Sequence, residues 1–130
     1  MRIAVYPASF GPVTLADDAF GSAGYAVVKP LALAVAANKN GEGLADPDTH
    51  LAVYAVKRAK GEPKFGKRAD IHVTNQCDDA YATVAKPFGL LVPTAKSLTQ
   101  PIPPPLESAN NVDHFLCYRA KAQKKLAHET

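Results

Sequence analysis

Two short stretches set the pattern of this chain. Residues 51–57 and 115–121 are runs of branched aliphatic and aromatic residues in which alternate positions differ in polarity, as a half-buried strand on a pleated surface requires. Residues 25–29 and 82–86 also read as strands, and each is expected to end at the proline that follows it, Pro30 or Pro87, because proline has no N–H to give a ladder. Residues 31–36 are ambiguous alone, since their alanines favour helix. Pro30 before them, and the matching Gly89-Leu90-Leu91-Val92-Pro93 later on, tip the prediction to strand. Turns are expected at Gly21-Ser22-Ala23-Gly24, Lys60-Gly61-Glu62-Pro63 and Asn110-Asn111, and a short helix or frayed tail over residues 122–130.

The elements recur. Val27-Val28-Lys29-Pro30, Leu33 and Val35 match Val84-Ala85-Lys86-Pro87, Leu90 and Val92 at an offset of 57, and Lys39 matches Lys96 at the same offset. The stretch from His50 to Lys57 matches that from His114 to Lys121 at an offset of 64. The change of seven residues falls where the second copy carries Pro101-Ile102-Pro103-Pro104-Pro105, a connection of the kind that tolerates insertions. Val13-Thr14 and Val73-Thr74 are read as opening the two copies. The division expected is an N-terminal strand and turn over 1–12, one copy over 13–66, a second over 67–126 and a tail over 127–130. Short, regularly spaced strands with eleven prolines and eight glycines predict an all-β fold, a duplicated β-sandwich or small barrel made of two similar halves.

Composition narrows this picture modestly. An apolar fraction of 47% suits a globular chain. With no Trp and one Met, the core must rest on Val, Leu, Ala and the Phe and Tyr rings, so modest stability is expected. The net charge of +3 is no nucleic-acid signature. The densest basic cluster, Arg119, Lys121, Lys124 and Lys125, lacks interleaved stacking rings and reads as a solvated tail. No apolar run is long enough to span a membrane. The first ten residues hold no apolar core of signal-peptide length, which suits a cytoplasmic protein or an internal piece given a start Met. Cys77 and Cys117 are enough for one disulfide, and the sequence leaves open whether they meet.

Two stretches resemble known families. Ala4-Val5-Tyr6-Pro7-Ala8-Ser9-Phe10-Gly11-Pro12-Val13-Thr14 resembles the first strand and loop of phosphopantetheine adenylyltransferases, which implies a Rossmann-like fold and nucleotidyl transfer. Gly11 stands where that pattern has Asp, and Leu15-Ala16-Asp17-Asp18 stands where its phosphate-holding Gly-His pair belongs; a β-α-β fold is also incompatible with the repeat. From Val13 to residue 126 the chain is similar to an uncharacterised repeat domain of bacterial secreted or surface proteins. The carriers are Val28-Lys29-Pro30, Leu33, Asn38-Lys39 and the stretch from His50 to Lys57, then Lys86-Pro87, Leu90 to Lys96 and Asp113 to Lys121. That resemblance implies an extracellular setting and no particular activity. The chain departs from it at the cysteines: Cys117 is kept before Tyr118, but Val53, Ala34 and Leu91 occupy the other expected positions.

The best candidate for site chemistry is the segment from Asn38 to Asp48. In the register of a calcium loop, Asn38, Asn40 and Glu42 take positions one, three and five, Gly43 the sixth and Asp46 the ninth. Thr49 stands at the twelfth, where a bidentate Glu belongs, and the second copy has Ser97-Leu98-Thr99-Gln100 instead. The same residues also make an ordinary turn. His50 and His114 recur at equivalent places, which suits a shared structural role such as a bond to a turn; metal ligation would need more than the Asp48 and Asp113 nearby. His72 alternates along a strand and is expected to face solvent, and His128 lies in the tail. Cys117 and His114 are three apart on a strand and so point to opposite faces, which makes Cys117 a core thiol and not half of a catalytic dyad.

The function expected is that of a non-enzymatic, extracellular or cell-surface structural or adhesion-type module. Its partner is a protein, either a second copy or a surface partner, met through strand edges. The alternatives are a ligand-binding module with calcium at residues 38–48 and, from the N-terminal stretch, a nucleotidyltransferase-like enzyme.

Overall fold

The structure, a computed structural model, describes residues 14–105 and 112–124. The expected strand and turn over 1–12, most of the adenylyltransferase-like stretch, the turn at Asn110-Asn111, and residues 125–130 of the expected helix or tail, with Lys125 and His128, lie outside the described residues; Ala122, where that tail is expected to begin, is strand. Within them the all-β prediction holds: six strands form one antiparallel sheet, and no helix is present among the described residues. The strands are β1 (Thr14–Asp18), β2 (Gly21–Ala34), β3 (Thr49–Arg58), β4 (Arg68–Thr74), β5 (Asp79–Ala95) and β6 (Phe115–Ala122).

The sheet order is β1-β2-β3-β5-β4, with β6 also on β5. A strand has only two edges, and this fixes the layout. Ala82 and Val84 pair with both β4 and β6, while Leu90 and Leu91 pair with both β3 and β6. Hence β3 and β4 follow one another along one edge of β5, and β6 takes the other.

The pairing registers repeat. Thr14↔Tyr25 through Asp17↔Ser22 become Ile71↔Ala82 through Thr74↔Asp79 when 57 is added to both partners. Tyr25↔Arg58, Val27↔Val56, Pro30↔Tyr54, Ala32↔Val53 and Leu33↔Ala52 become Ala82↔Ala122, Val84↔Ala120, Pro87↔Tyr118, Gly89↔Cys117 and Leu90↔Leu116 when 57 is added on one strand and 64 on the other. The difference, 64 − 57 = 7, is absorbed in the connection between β5 and β6, outside every strand. At the offset of 57 it is Ile71, not Val73, that takes the place of Thr14. The expected pairing of Val13-Thr14 with Val73-Thr74 is therefore not the one the strands use.

Two local expectations are corrected. Pro30 and Pro87 do not end their strands; both lie inside, at register shifts between Pro30 and Ala32 and between Val84, Pro87 and Gly89. A bulge is the one interior place where a strand loses nothing by lacking an N–H. Gly21-Ser22-Ala23-Gly24 is not a turn but the start of β2; the turn is Ala19-Phe20, held by the Phe20 N–H on Asp18 Oδ1 at 2.8 Å. The turn at Lys60-Gly61 forms as expected, with Gly61 at φ +92° and Glu62 N–H bonded to Ala59 O at 3.0 Å. Of the strand expected over residues 31–36, residues 31–34 form it, and Val35 and Ala36 lie beyond its end.

The sheet is open but curled. Along β1-β2-β3-β5-β6, the first and last strands of a flat sheet would lie about 19 Å apart at ~4.8 Å per step. Instead Tyr118 Oη on β6 donates to Asp18 Oδ2 on β1 at 2.5 Å. Phe20 and Phe65 close around the Tyr118 ring, with centroids at 5.2 and 5.1 Å. The concave side holds the core: Ala23, Tyr25, Val56 and Leu90, flanked by Ala16, Val27, Val92 and Leu116. Five strands thus feed one small, alanine-containing cluster.

Candidate functional site

Residues 38–48 connect β2 to β3, and their backbone is shaped by local chemistry. Asn40 and Gly41 have φ of +53° and +76°, and Glu42 N–H bonds Lys39 O at 3.0 Å, the geometry of a tight turn with two left-handed central residues, which Asn-Gly suits. Gly43 follows at φ +92°, its N–H bonded to Asn38 Oδ1 at 2.8 Å. Asp46 Oδ1 accepts from the N–H groups of Asp48 and Thr49 at 3.2 and 3.1 Å and so starts β3. Glu42 pairs with the Lys39 ammonium and accepts from the Gln76 amide at 3.0 Å. Gln76 and Lys39 hold the Glu42 carboxyl below its ordinary range.

The four residues expected to ligate calcium, Asn38, Asn40, Glu42 and Asp46, are therefore used in different ways. Asn38 and Asp46 cap backbone, Asn40 supplies a left-handed turn, and Glu42 ties the loop to Gln76 in the turn between β4 and β5. Among the described residues no three of His, Cys, Asp and Glu gather where a metal ion would take them. The link from residues 39–42 to Gln76 ties the β2–β3 connection to the β4–β5 turn, and no sequence pattern announced it.

The recurring histidines part company. His50 is buried, and its Nδ1 accepts from Ala36 N–H at 3.1 Å. The bond ties His50 to the stretch just after β2 rather than to a turn, and it is not shared by His114. The position equivalent to Ala36 is Pro93, which has no N–H to offer, and His114 is exposed. His72, expected at the solvent face, is half-exposed, with Nε2 at 2.5 Å from Asp79 Oδ1 and its ring 5.0 Å from that of Tyr81. Both cysteines are free: Cys77 is exposed and Cys117 half-buried. Burial pushes the Cys117 thiol up in pKa, which disfavours the thiolate a nucleophile needs. The basic cluster is in part strand rather than tail, since Arg119 and Lys121 lie on β6 and Arg119 sits 4.8 Å above the Phe88 ring.

The concave side opens between the first and last strands. A groove of about 370 Å³ is bounded by Thr14 to Asp18 of β1 on one side and His114 to Leu116 at the start of β6 on the other, with Leu90 between. Leu15, 79% exposed, and Phe115, 51% exposed, flank it. Sequence reading missed this feature because it depends on the curl bringing strands about 100 residues apart into contact, as Asp18 and Tyr118 show. Set against known protein families, curated proteins and solved structures, the chain matches none. What the geometry offers is two outer strand edges with a groove between them.

Proposed function

We propose that this chain is a non-enzymatic β module, built as two copies of one three-stranded unit, that does structural or adhesion work by associating with further copies of itself. The observation that carries the reading is the register: β1-β2-β3 and β4-β5-β6 pair in the same way at offsets of 57 and 64, bulges included. A unit of this kind cannot bury one face of its strands alone, and stacking against a neighbour completes the core. Here the neighbour is met through a strand pair, β3 on β5, so the interaction surface of the unit is a sheet edge. Backbone groups on such an edge accept another strand whatever its side chains. The resemblance to repeat domains of secreted and surface proteins supports an extracellular or cell-surface setting.

The test is the mass of the purified protein in solution as its concentration is raised, by sedimentation velocity and light scattering. The reading expects species larger than the monomer that grow with concentration. A monomer at every concentration up to the near-millimolar range, with calcium present or absent, would overturn it.

A further inference from the structure

The two units join through residues 49–55 of β3 and 89–95 of β5. The repeat places a second version of each half of that junction at an end of the molecule. Adding 64 to the β3 residues gives 113–119, at and before β6; subtracting 57 from the β5 residues gives 32–38, at and beyond the end of β2. Among the described residues, no strand pairs with the outer edge of β6, and none with residues 32–38 on the edge of β2 away from β3.

Both places show what an absent partner does. β5 runs to Ala95, whereas β2, whose matching end is Asn38, stops at Ala34. The four residues by which β5 is longer all pair with β3. Leu90 is 7% exposed and Val92 partly buried, while their counterparts Leu33 and Val35 are partly buried and 48% exposed. On the other half, Thr49, His50, Ala52 and Tyr54 are buried, while Asp113 and His114 are exposed and Leu116 and Tyr118 only half-buried. The groove between β1 and the start of β6 leaves space beside His114 to Leu116. Charged residues that keep natural edges apart stand only at the two ends of this stretch, Asp113 and Arg119, and residues 115–118 carry none.

We propose that this protein binds a second copy of itself head to tail, residues 113–119 of one molecule pairing antiparallel with residues 32–38 of the next in the register of β3 on β5. The inference rests on the reading of the chain as two copies of one self-associating unit, and adds the surface and the register. Leu116 then lies opposite Val35, Cys117 opposite Ala34 and Tyr118 opposite Leu33, as Ala52 lies opposite Val92, Val53 opposite Leu91 and Tyr54 opposite Leu90. Residues 35–38 become strand. Each molecule carries one edge of each kind, so the contact is heterologous and extends past a dimer.

The experiment uses the full chain with Cys77→Ser and Cys117→Ser. A sample carrying Leu116→Cys is mixed with one carrying Val35→Cys, the two differing in a mass tag, and oxidised gently; Leu116→Cys mixed with Leu15→Cys is the control, since Leu15 is the more exposed of the two partners. Mixed disulfide that forms on the order of tenfold faster with Val35→Cys than with Leu15→Cys is the expected result. Val35→Lys, placed on an exposed position so that folding is untouched, is expected to weaken association by a similar factor, read by sedimentation. Association that persists in Val35→Lys, with cross-linking no faster than the control, overturns this register while leaving self-association in place. A chain that stays monomeric overturns both.

Discussion

At the residue scale, a few polar side chains hold what the small core does not. Tyr118 is the clearest. Burial and then the Asp18 carboxylate raise its hydroxyl well above the usual phenol range. A raised folded-state value means that the stability it lends is complete below the unfolded value of about 10 and is lost as pH climbs above it. Tyr118→Phe is expected to cost about 1 kcal/mol near neutrality, the net worth of one hydrogen bond. It is also expected to narrow its gap to the parent in thermal melts taken between pH 9 and 11, roughly the span around that unfolded value; a constant gap would contradict this role. The loop before β3 gives a second test. Because Asp46 caps Asp48 and Thr49, Asp46→Ala is expected to lower the melting temperature equally in EDTA and in millimolar calcium. A calcium-dependent rise in the parent that Asp46→Ala abolishes would instead make the loop a calcium site. For the thiols, a reagent titration of the native protein should find Cys77 reacting at once and Cys117 slowly, consistent with exposure of one and the raised pKa of the other.

At the scale of elements, the two central strands differ in one telling way. Gly89 on β5 is enclosed: a Cβ there would meet Val53 Cγ1 at 3.3 Å and Cys117 Cβ at 3.4 Å. Its counterpart Ala32 on β2 is exposed, with β3 on one side only. Gly89→Val should therefore lower stability by roughly 1–3 kcal/mol through overpacking, while Ala32→Val should change it little; equal losses, measured by denaturant unfolding, would contradict the placement of β5 between two strands. Strands with alternating polarity were legible in the sequence, and β3 and β6 lie within two residues of their expected bounds. The two prolines misled because a bulge is set by pairing with a neighbour, which a single strand's sequence does not display. Gly21 to Gly24 misled because the positive φ that glycine supplies also serves the first residue of a strand, as at Gly21 with φ +133°.

At the scale of the molecule, the recurrence of one pairing register at offsets of 57 and 64 is the observation on which the proposed reading rests. Matching residues along the chain suggested those offsets, and the shift between them falls in the connection between β5 and β6. The curl was not legible, since it depends on Asp18, Phe20, Phe65 and Tyr118 converging from distant turns and strands. Nor was the groove it creates, nor the tie from Lys39 and Glu42 to Gln76. Sequence pattern records which face of a strand is apolar; it does not record which strand lies beyond the next one. The most direct test of the account is therefore a map of cross-strand proton contacts by NMR on the labelled monomer at low concentration. The account predicts contacts for Val27 with Val56, Val84 with Ala120 and Ala52 with Val92, together with rapid amide exchange at residues 35, 37 and 38 and protection at Ala36, whose N–H is held by His50. Contacts that pair the backbone of β6 with any strand other than β5, or registers in β4-β5-β6 that do not follow those of β1-β2-β3 at 57 and 64, would contradict it.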